Sequence, residues 1–221
     1  MGRRGKDGHE DYLAWTETPT EVPGSVNLGA IVAWLRGHLR DDAVVCNGAG
    51  NYAVWLHRYY RHRKFATQFA PTAGSMGYGV PAAIAVKRLY PDRTVVALSG
   101  DGDFLMNGQD FATAVQFDAP VIVVVADNGQ YGTIRMHQER HYPGRISATQ
   151  LRNPDFAAYA RAFGGYGVTV EKTADFPAAF EAAENSGLPA IIHLKVDPDA
   201  ITPTTTLTKI REAALAQRAG K

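Results

Sequence analysis

Two clusters of polar residues near the middle of the chain carry the chemistry. Residues 94–99 form a short β-branched run that ends in Gly100, Asp101, Gly102 and Asp103, and residues 120–126 form a second that ends in Asp127, Asn128, Gly129, Gln130, Tyr131 and Gly132. A helical pattern from about Phe104 to Phe117 joins them, and two apolar strands joined by a helix make a βαβ unit with buried, parallel strands. Ligands of such units sit at the carboxyl ends of the strands, so Asp101 and Asn128 are expected to face one crevice. Gly100 and Gly102 allow a sharp turn that exposes bare N–H groups, and the following helix adds its positive end, so an anion, here a phosphate, is expected. Asp101 would repel that anion unless a cation lay between them. Its carboxylate, the amide oxygen of Asn128 and a main-chain carbonyl just beyond are hard donors. With two phosphate oxygens and a water they complete an octahedron that suits Mg2+. Taken singly, Asp101 and Asn128 read as turn residues; with the two glycines and the βαβ spacing they read as a metal site.

These residues at this spacing resemble the thiamine diphosphate motif, GDG followed by an asparagine after a crossover. The glycine-rich run 74–83 looks like the segment that holds the cofactor's aminopyrimidine in the acetolactate synthase-like family, and residues from about Val26 to Ile210 are similar to that family's C-terminal, diphosphate-binding domain. The resemblance implies cofactor contacts at Gly50, Asn51, Tyr52, Gly74, Ser75, Met76, Gly100, Asp101, Gly102, Asp103, Asn128, Gln130, Tyr131 and Gly132. It assigns the metal to Asp101, Asn128 and the main-chain carbonyl of Gln130. Met76 is expected to wedge between the cofactor's rings and bend it, a proximity effect. Two residues depart from the family pattern. Asp103 stands where many relatives carry a small or hydroxyl residue, and it is expected to point outward, where it favours the helix N-terminus. Asp127 replaces the first of the family's paired asparagines.

A rival motif lies earlier. Residues 47–53 satisfy the dinucleotide pattern G-x-G-x-x-A after a strand, which would call for an acidic residue about 20 positions on. No Asp or Glu occurs from Phe65 to Tyr90, so a Rossmann-type NAD-dependent dehydrogenase is demoted. His137 and His141 are four apart with Glu139 between them, but the order is not H-E-x-x-H and Pro143 and Gly144 end any helix at once. A loop facing solvent or substrate is expected there. In acetolactate synthases a tryptophan lies about where His137 stands, which makes His137 a candidate substrate contact. Arg135 is a candidate for a substrate carboxylate, or for a surface ion pair.

The elements that must position these residues follow a doubly wound pattern. Ser25 is expected to cap a helix whose apolar positions are Leu28, Ile31, Val32 and Leu35. Strands are expected at 43–46, 65–69, 166–170 and 189–196. Helices are expected at 50–60, 79–89, 154–163 and 176–184, with a helical end at 209–218. The stretch 133–153 shows no obvious element and reads as a functional loop. Together these predict an α/β fold: a three-layer, mostly parallel sheet of about six strands with helices on both faces. Residues 1–24 read as a linker or domain boundary, 25–200 as the thiamine diphosphate-binding domain, and 201–221 as a tail with a short helix.

The chain has 221 residues with 23 basic and 22 acidic side chains, a balance that offers no basic field for nucleic acid or anionic lipid. The one basic cluster, residues 57–64, reads as a solvated helix end. Cys46 is the sole cysteine, so no intrachain disulfide is possible. No apolar run approaches the roughly 20 residues that span a bilayer, and the start lacks a signal-peptide core and a myristoylation serine. Cytoplasmic residence is the default expectation. The function implied is a thiamine diphosphate- and Mg2+-binding catalytic domain acting on 2-oxo acids by decarboxylation or carboligation, within a homodimer or larger assembly. The family's activating glutamate belongs to a pyrimidine-binding domain, in the same enzyme or a partner subunit. A non-catalytic cofactor-binding or assembly module is the alternative of a different class.

Overall fold

A computed structural model describes residues 3–220; the lipidation reading of Met1 and Gly2 lies outside them. Six strands, β1 (Val44–Asn47), β2 (Gln68–Phe69), β3 (Val95–Gly100), β4 (Ile122–Asp127), β5 (Tyr166–Val170) and β6 (Ala190–Lys195), form one all-parallel sheet in the order β2-β1-β3-β4-β6-β5. Every residue of β1, β3 and β4 is buried, as strands covered on both faces must be. Alternate side chains point to opposite faces, so one run feeds two cores. Val96, Leu98 and Val124 pack with Ile31, Leu35, Trp55, Tyr59, Phe176 and Phe180. Val95, Ala97 and Val123 pack with Val80, Ala83, Phe104, Phe111 and Phe156 on the other side. The covering helices are α2 (Leu28–His38), α3 (Tyr52–Tyr59) and α9 (Phe176–Ser186) on the first face, and α4 (Gly79–Leu89), α5 (Asp101–Asn107), α6 (Phe111–Gln116) and α8 (Phe156–Ala162) on the second. This is the three-layer α/β fold expected. Strand order reverses between β1 and β3, and such a switch point opens a crevice at the strands' carboxyl ends. No helix among the described residues is long and apolar enough to cross a membrane.

Several elements differ from the sequence reading. Helix α2 is capped by Asn27, whose side-chain oxygen accepts the Ala30 N–H at 3.1 Å, rather than by Ser25. The first helix after β3 begins at Asp101, not near Phe104, which makes the aspartate its first residue. The edge strand β2 is only two residues long, and Ala66 just before it takes a positive φ of 55°. Where a linker without an element was expected, α1 (Arg3–Thr16) forms a helix. It docks through cation–π contacts near its C-terminal end. The Arg58 guanidinium stacks on Trp15 at 3.7 Å and Arg61 lies over Tyr12 at 5.5 Å. Part of the basic cluster is thus engaged in holding α1, not merely solvated.

The expected loop at 133–153 begins with α7 (Gly132–His141). Its apolar moment is poor because its buried residues are charged: Arg135 and Glu139 form an i,i+4 ion pair. The Glu139 carboxylate, 1% exposed, also accepts the Arg211 Nε and Nη2 at 2.9 and 2.6 Å and the Gly144 N–H at 2.8 Å. Arg211 belongs to α10 (Leu207–Ala219), so this carboxylate ties the C-terminal helix to α7.

The Arg211 hydrogen bonds, aided by Gly144 and Arg135, hold Glu139 down at about 2. A carboxylate depressed in the folded state contributes stability above its unfolded value of about 4.3 and loses it as pH falls toward 2. The expected contribution at neutral pH is on the order of 2 kcal/mol, after allowing for the partly exposed Arg211. Urea unfolding followed from pH 7 to pH 2.5 should show this acid limb, and Glu139→Gln should flatten it while lowering stability at pH 7.

Candidate functional site

Three helices start at the crevice: α3 after β1, α5 after β3 and α7 after β4. In none of the three does the side chain of the N-cap residue cap the first turn. Their positive ends therefore converge on one open pocket, lined by Asn51 and Tyr52 at the start of α3, Asp101 to Asp103 from α5, and Gly132, Thr133 and Ile134 from α7. Two glycines are fixed by close approach. A Cβ on Gly100 would lie 2.8 Å from the Tyr52 ring, and one on Gly102 would lie 2.6 Å from the Tyr131 ring. Thr133 stitches α7 to α3: its hydroxyl accepts the Asn51 N–H at 3.1 Å and donates to the Asn51 side-chain oxygen at 2.9 Å. The arrangement suits an anion with several oxygens.

Asp101 sits in this positive setting with 3% of its surface exposed. One carboxylate oxygen accepts the Gly102 N–H at 2.9 Å and the other accepts the Asn153 side-chain amide at 2.7 Å. Burial pushes Asp101 up to about 6 against those bonds, with the nearby Asp127 charge acting in the same direction. No cationic side chain bonds to Asp101 among the described residues, so a cation in the pocket would offset its charge. The pairing of Gly100 with Ala126 sets Asp101 and Asn128 on adjacent strand tips, and both line the pocket. The Asn128 side-chain oxygen accepts the Gln130 N–H at 3.2 Å, while the Gln130 side chain donates to the Pro198 carbonyl at 2.8 Å. With its side chain engaged by Pro198, Gln130 still lines the pocket. Among the described residues no three His, Cys, Asp or Glu side chains gather as a metal cluster. A cation at Asp101 would take its remaining oxygens from amide, main chain and ligand, a set that fits Mg2+ rather than zinc.

The two further carboxylates behave differently from Asp101. Asp103 points inward, contrary to expectation. It is 2% exposed and accepts Ala49 N–H at 3.1 Å, Gly77 N–H at 2.8 Å and the Tyr52 hydroxyl at 2.8 Å. One side chain thus fastens the loop after β1 and the loop before α4 onto α5. Burial still holds it above the ordinary carboxylate range. Asp127 accepts His193 Nε2 at 2.7 Å, Lys195 Nζ at 2.9 Å, Gly129 N–H at 3.0 Å and the Asn153 amide at 2.7 Å. Burial would raise it, but these donors outweigh burial and keep it well below the usual range.

Of the residues expected at the cofactor, Gly50, Asn51, Tyr52, Met76, Gly100, Asp101, Gly102, Asp103, Asn128, Gln130, Tyr131 and Gly132 line this single pocket. Gly74 and Ser75 are exposed and lie outside its lining. Arg135 is also outside it, because α7 turns the guanidinium into the buried ion pair with Glu139. His137 lies on the exposed face of α7, its ring stacked with that of His141 at 6.3 Å between centroids. Sequence reasoning missed Thr133, Ile134, Ala200 and Ile201 in the lining, and Asn153 and His193 behind it. Only Asn153 had a signal, as the residue before the Pro154 that was expected to open a helix.

A family model described as "Thiamine pyrophosphate enzyme, C-terminal TPP binding domain" matches residues 48–194. The chain is 34% identical over 158 residues to the acetolactate synthase isozyme 2 large subunit of Escherichia coli, covering 71% of this chain and 29% of that protein. It is 33% identical over 177 residues to the acetolactate synthase large subunit of Corynebacterium glutamicum, covering 77% and 28%. The chain thus spans less than a third of the length of these relatives. Among solved structures it is similar to the thiamine diphosphate-dependent 4-hydroxybenzoylformate decarboxylase of Rhodococcus jostii RHA1, with a TM-score of 0.76, 25% identity, and coverage of 82% of this chain and 34% of that one.

Asp103 generates a test that needs no ligand. Asp103→Ala would leave two loop N–H groups and a buried hydroxyl unpaired and should cost about 3 kcal/mol or more in urea unfolding. Asp103→Asn keeps an acceptor for Ala49 and Gly77 and an amide toward the Tyr52 oxygen, so its loss should be much smaller.

Proposed function

The chain belongs to the thiamine pyrophosphate enzyme family, in its C-terminal TPP binding domain, and from that premise we propose that residues 25–200 bind thiamine diphosphate with Mg2+ to act on 2-oxo acids. The observation that carries the proposal is the meeting of three helix N-termini with a buried, uncompensated Asp101 in one pocket. The N-termini suit the diphosphate. Asp101, the amide oxygen of Asn128 and the Gln130 carbonyl would hold the Mg2+ between them. When bound, the cofactor supplies a nucleophilic carbon that adds to a keto group and accepts the electron pair freed as carbon dioxide leaves.

The chain's own residues bind, orient and exclude water. Met76, 37% exposed at the pocket rim, would press between the two rings of the cofactor, with main-chain groups of Gly74 and Ser75 beside the aminopyrimidine. Tyr131 and Ile201 line the pocket with apolar surface that would limit the access of water to a bound cofactor. The proton that activates the aminopyrimidine is assigned to a glutamate of a pyrimidine-binding domain, on another part of the enzyme or on a partner subunit within a homodimer or larger assembly. The share of each relative that this chain spans supports that division of labour.

Calorimetry on the full chain tests the binding reading. Thiamine diphosphate should bind only with Mg2+ present, and Asp101→Ala should abolish the heat; binding indifferent to Mg2+ or to that substitution overturns the assignment. The chain alone, with cofactor and Mg2+, should not turn over pyruvate. Carbon dioxide release above background would show that the activating group is already present in these 221 residues.

A further inference from the structure

After α7 the chain returns along the pocket wall. Gln150 pairs with Gln130 in an antiparallel bridge, the Tyr131 N–H donates to the Thr149 carbonyl at 2.8 Å, and the Leu151 N–H donates to the Gly129 carbonyl at 2.8 Å. Residues 149–151 are therefore laced onto the loop that carries Asn128. Immediately beyond, Asp155 caps α8 by accepting the N–H groups of Ala157 and Ala158. Asn153 stands between these two anchors, directly before a proline that restricts its backbone. Its side-chain amide nitrogen donates to the carboxylates of Asp101 and Asp127, each at 2.7 Å. The orientation is dictated by chemistry, since the reverse flip would turn a carbonyl oxygen toward two carboxylates. The Asn153 oxygen is buried and has no partner of its own.

The two carboxylates that share this amide are not equivalent. Asp127 already has His193 and Lys195. Asp101 has only the Gly102 N–H and this amide, so Asn153 is what fixes one oxygen of a carboxylate that lines the pocket. We propose that Asn153 is the positioning residue of the divalent-cation site: by bridging Asp101 to the firmly held Asp127 it locks Asp101 in its ligating orientation. This rests on the cofactor reading above. Partners that hydrogen-bond a ligating carboxylate set its orientation and typically change metal affinity about 10- to 100-fold when removed.

Mn2+ serves as the probe, with the free-ion electron paramagnetic resonance signal measured on the full chain at saturating thiamine diphosphate. Asn153→Ala should weaken Mn2+ binding about 10-fold or more while the cofactor still binds when Mn2+ is raised to compensate. A role confined to packing would lower the unfolding midpoint and leave the Mn2+ affinity of the folded chain unchanged, and that result overturns the proposal. Asn153→Ser, whose shorter hydroxyl cannot reach both carboxylates, gives the same readout if the alanine variant does not fold. Should the unaltered chain bind neither Mn2+ nor thiamine diphosphate, the cofactor reading itself falls, whereas wild-type binding with an unaffected variant sinks only the role of Asn153.

Discussion

The convergence of helix N-termini at one end of an all-parallel sheet is the constraint on which the rest of the structure depends. In such a sheet every crossover helix begins where the preceding strand ends. With β1 and β3 adjacent and β3 beside β4, α3, α5 and α7 must start side by side. Each helix opens with up to four N–H groups that lack intrahelical partners, and in none of the three does the N-cap side chain close the first turn. The topology thus builds a concentration of positive ends. The glycines at 100 and 102 keep it open to a ligand by letting the Tyr52 and Tyr131 rings lie against bare backbone.

Buried carboxylates in such a place need a reason, and the three at this site have three different ones. Asp103 has given its oxygens to N–H donors from loops more than twenty residues away in sequence, so it acts as a clamp that shapes the pocket. Asp127 is matched by His193 and Lys195 from the neighbouring strand. The Phe156 N–H, 3.3 Å from His193 Nδ1, leaves the Nε2 hydrogen to face the carboxylate. Asp101, like Asp103, has no cation among the described side chains, but it has only two neutral N–H donors where Asp103 has three donors. Burying a charge in that condition is costly, and a divalent ion shared with an anionic ligand is the simplest group that removes the cost. The difference among the three, rather than the presence of acidic residues, is what singles out Asp101 as the candidate metal position.

How much of this was readable beforehand follows from where each interaction partner sits in the chain. The β3–α5–β4 unit and its tips at Asp101 and Asn128 were legible because the strands are continuous β-branched runs and the turn residues follow directly. Helix α7 was not, because its inward face carries Arg135 and Glu139, whose burial depends on Arg211 more than seventy residues later. Helix α1 was hidden for a related reason: Tyr12 and Trp15 meet arginines of the α3 end rather than an apolar groove. The inward turn of Asp103 depends on N–H groups of Ala49 and Gly77, and the use of Asn153 depends on two aspartates in separate loops. Local pattern carries no record of such partners. Fold class and strand tips were local facts, whereas the wiring behind the tips was a tertiary one.

The same wiring makes occupancy and folding a single problem. Burial and the charge of Asp127 push Asp101 up to about 6, so its surroundings disfavour the ionised form. An anion arriving alone at the helix ends would be repelled by Asp101, and a lone cation would meet the positive helix ends. A cation and a polyanion entering together satisfy both, which is why the pocket should discriminate for the pair over either ion alone. A group bound only by the folded state stabilises that state by mass action. On the proposed reading, these electrostatics form a preorganised site, and binding of the pair would add to the stability of the fold.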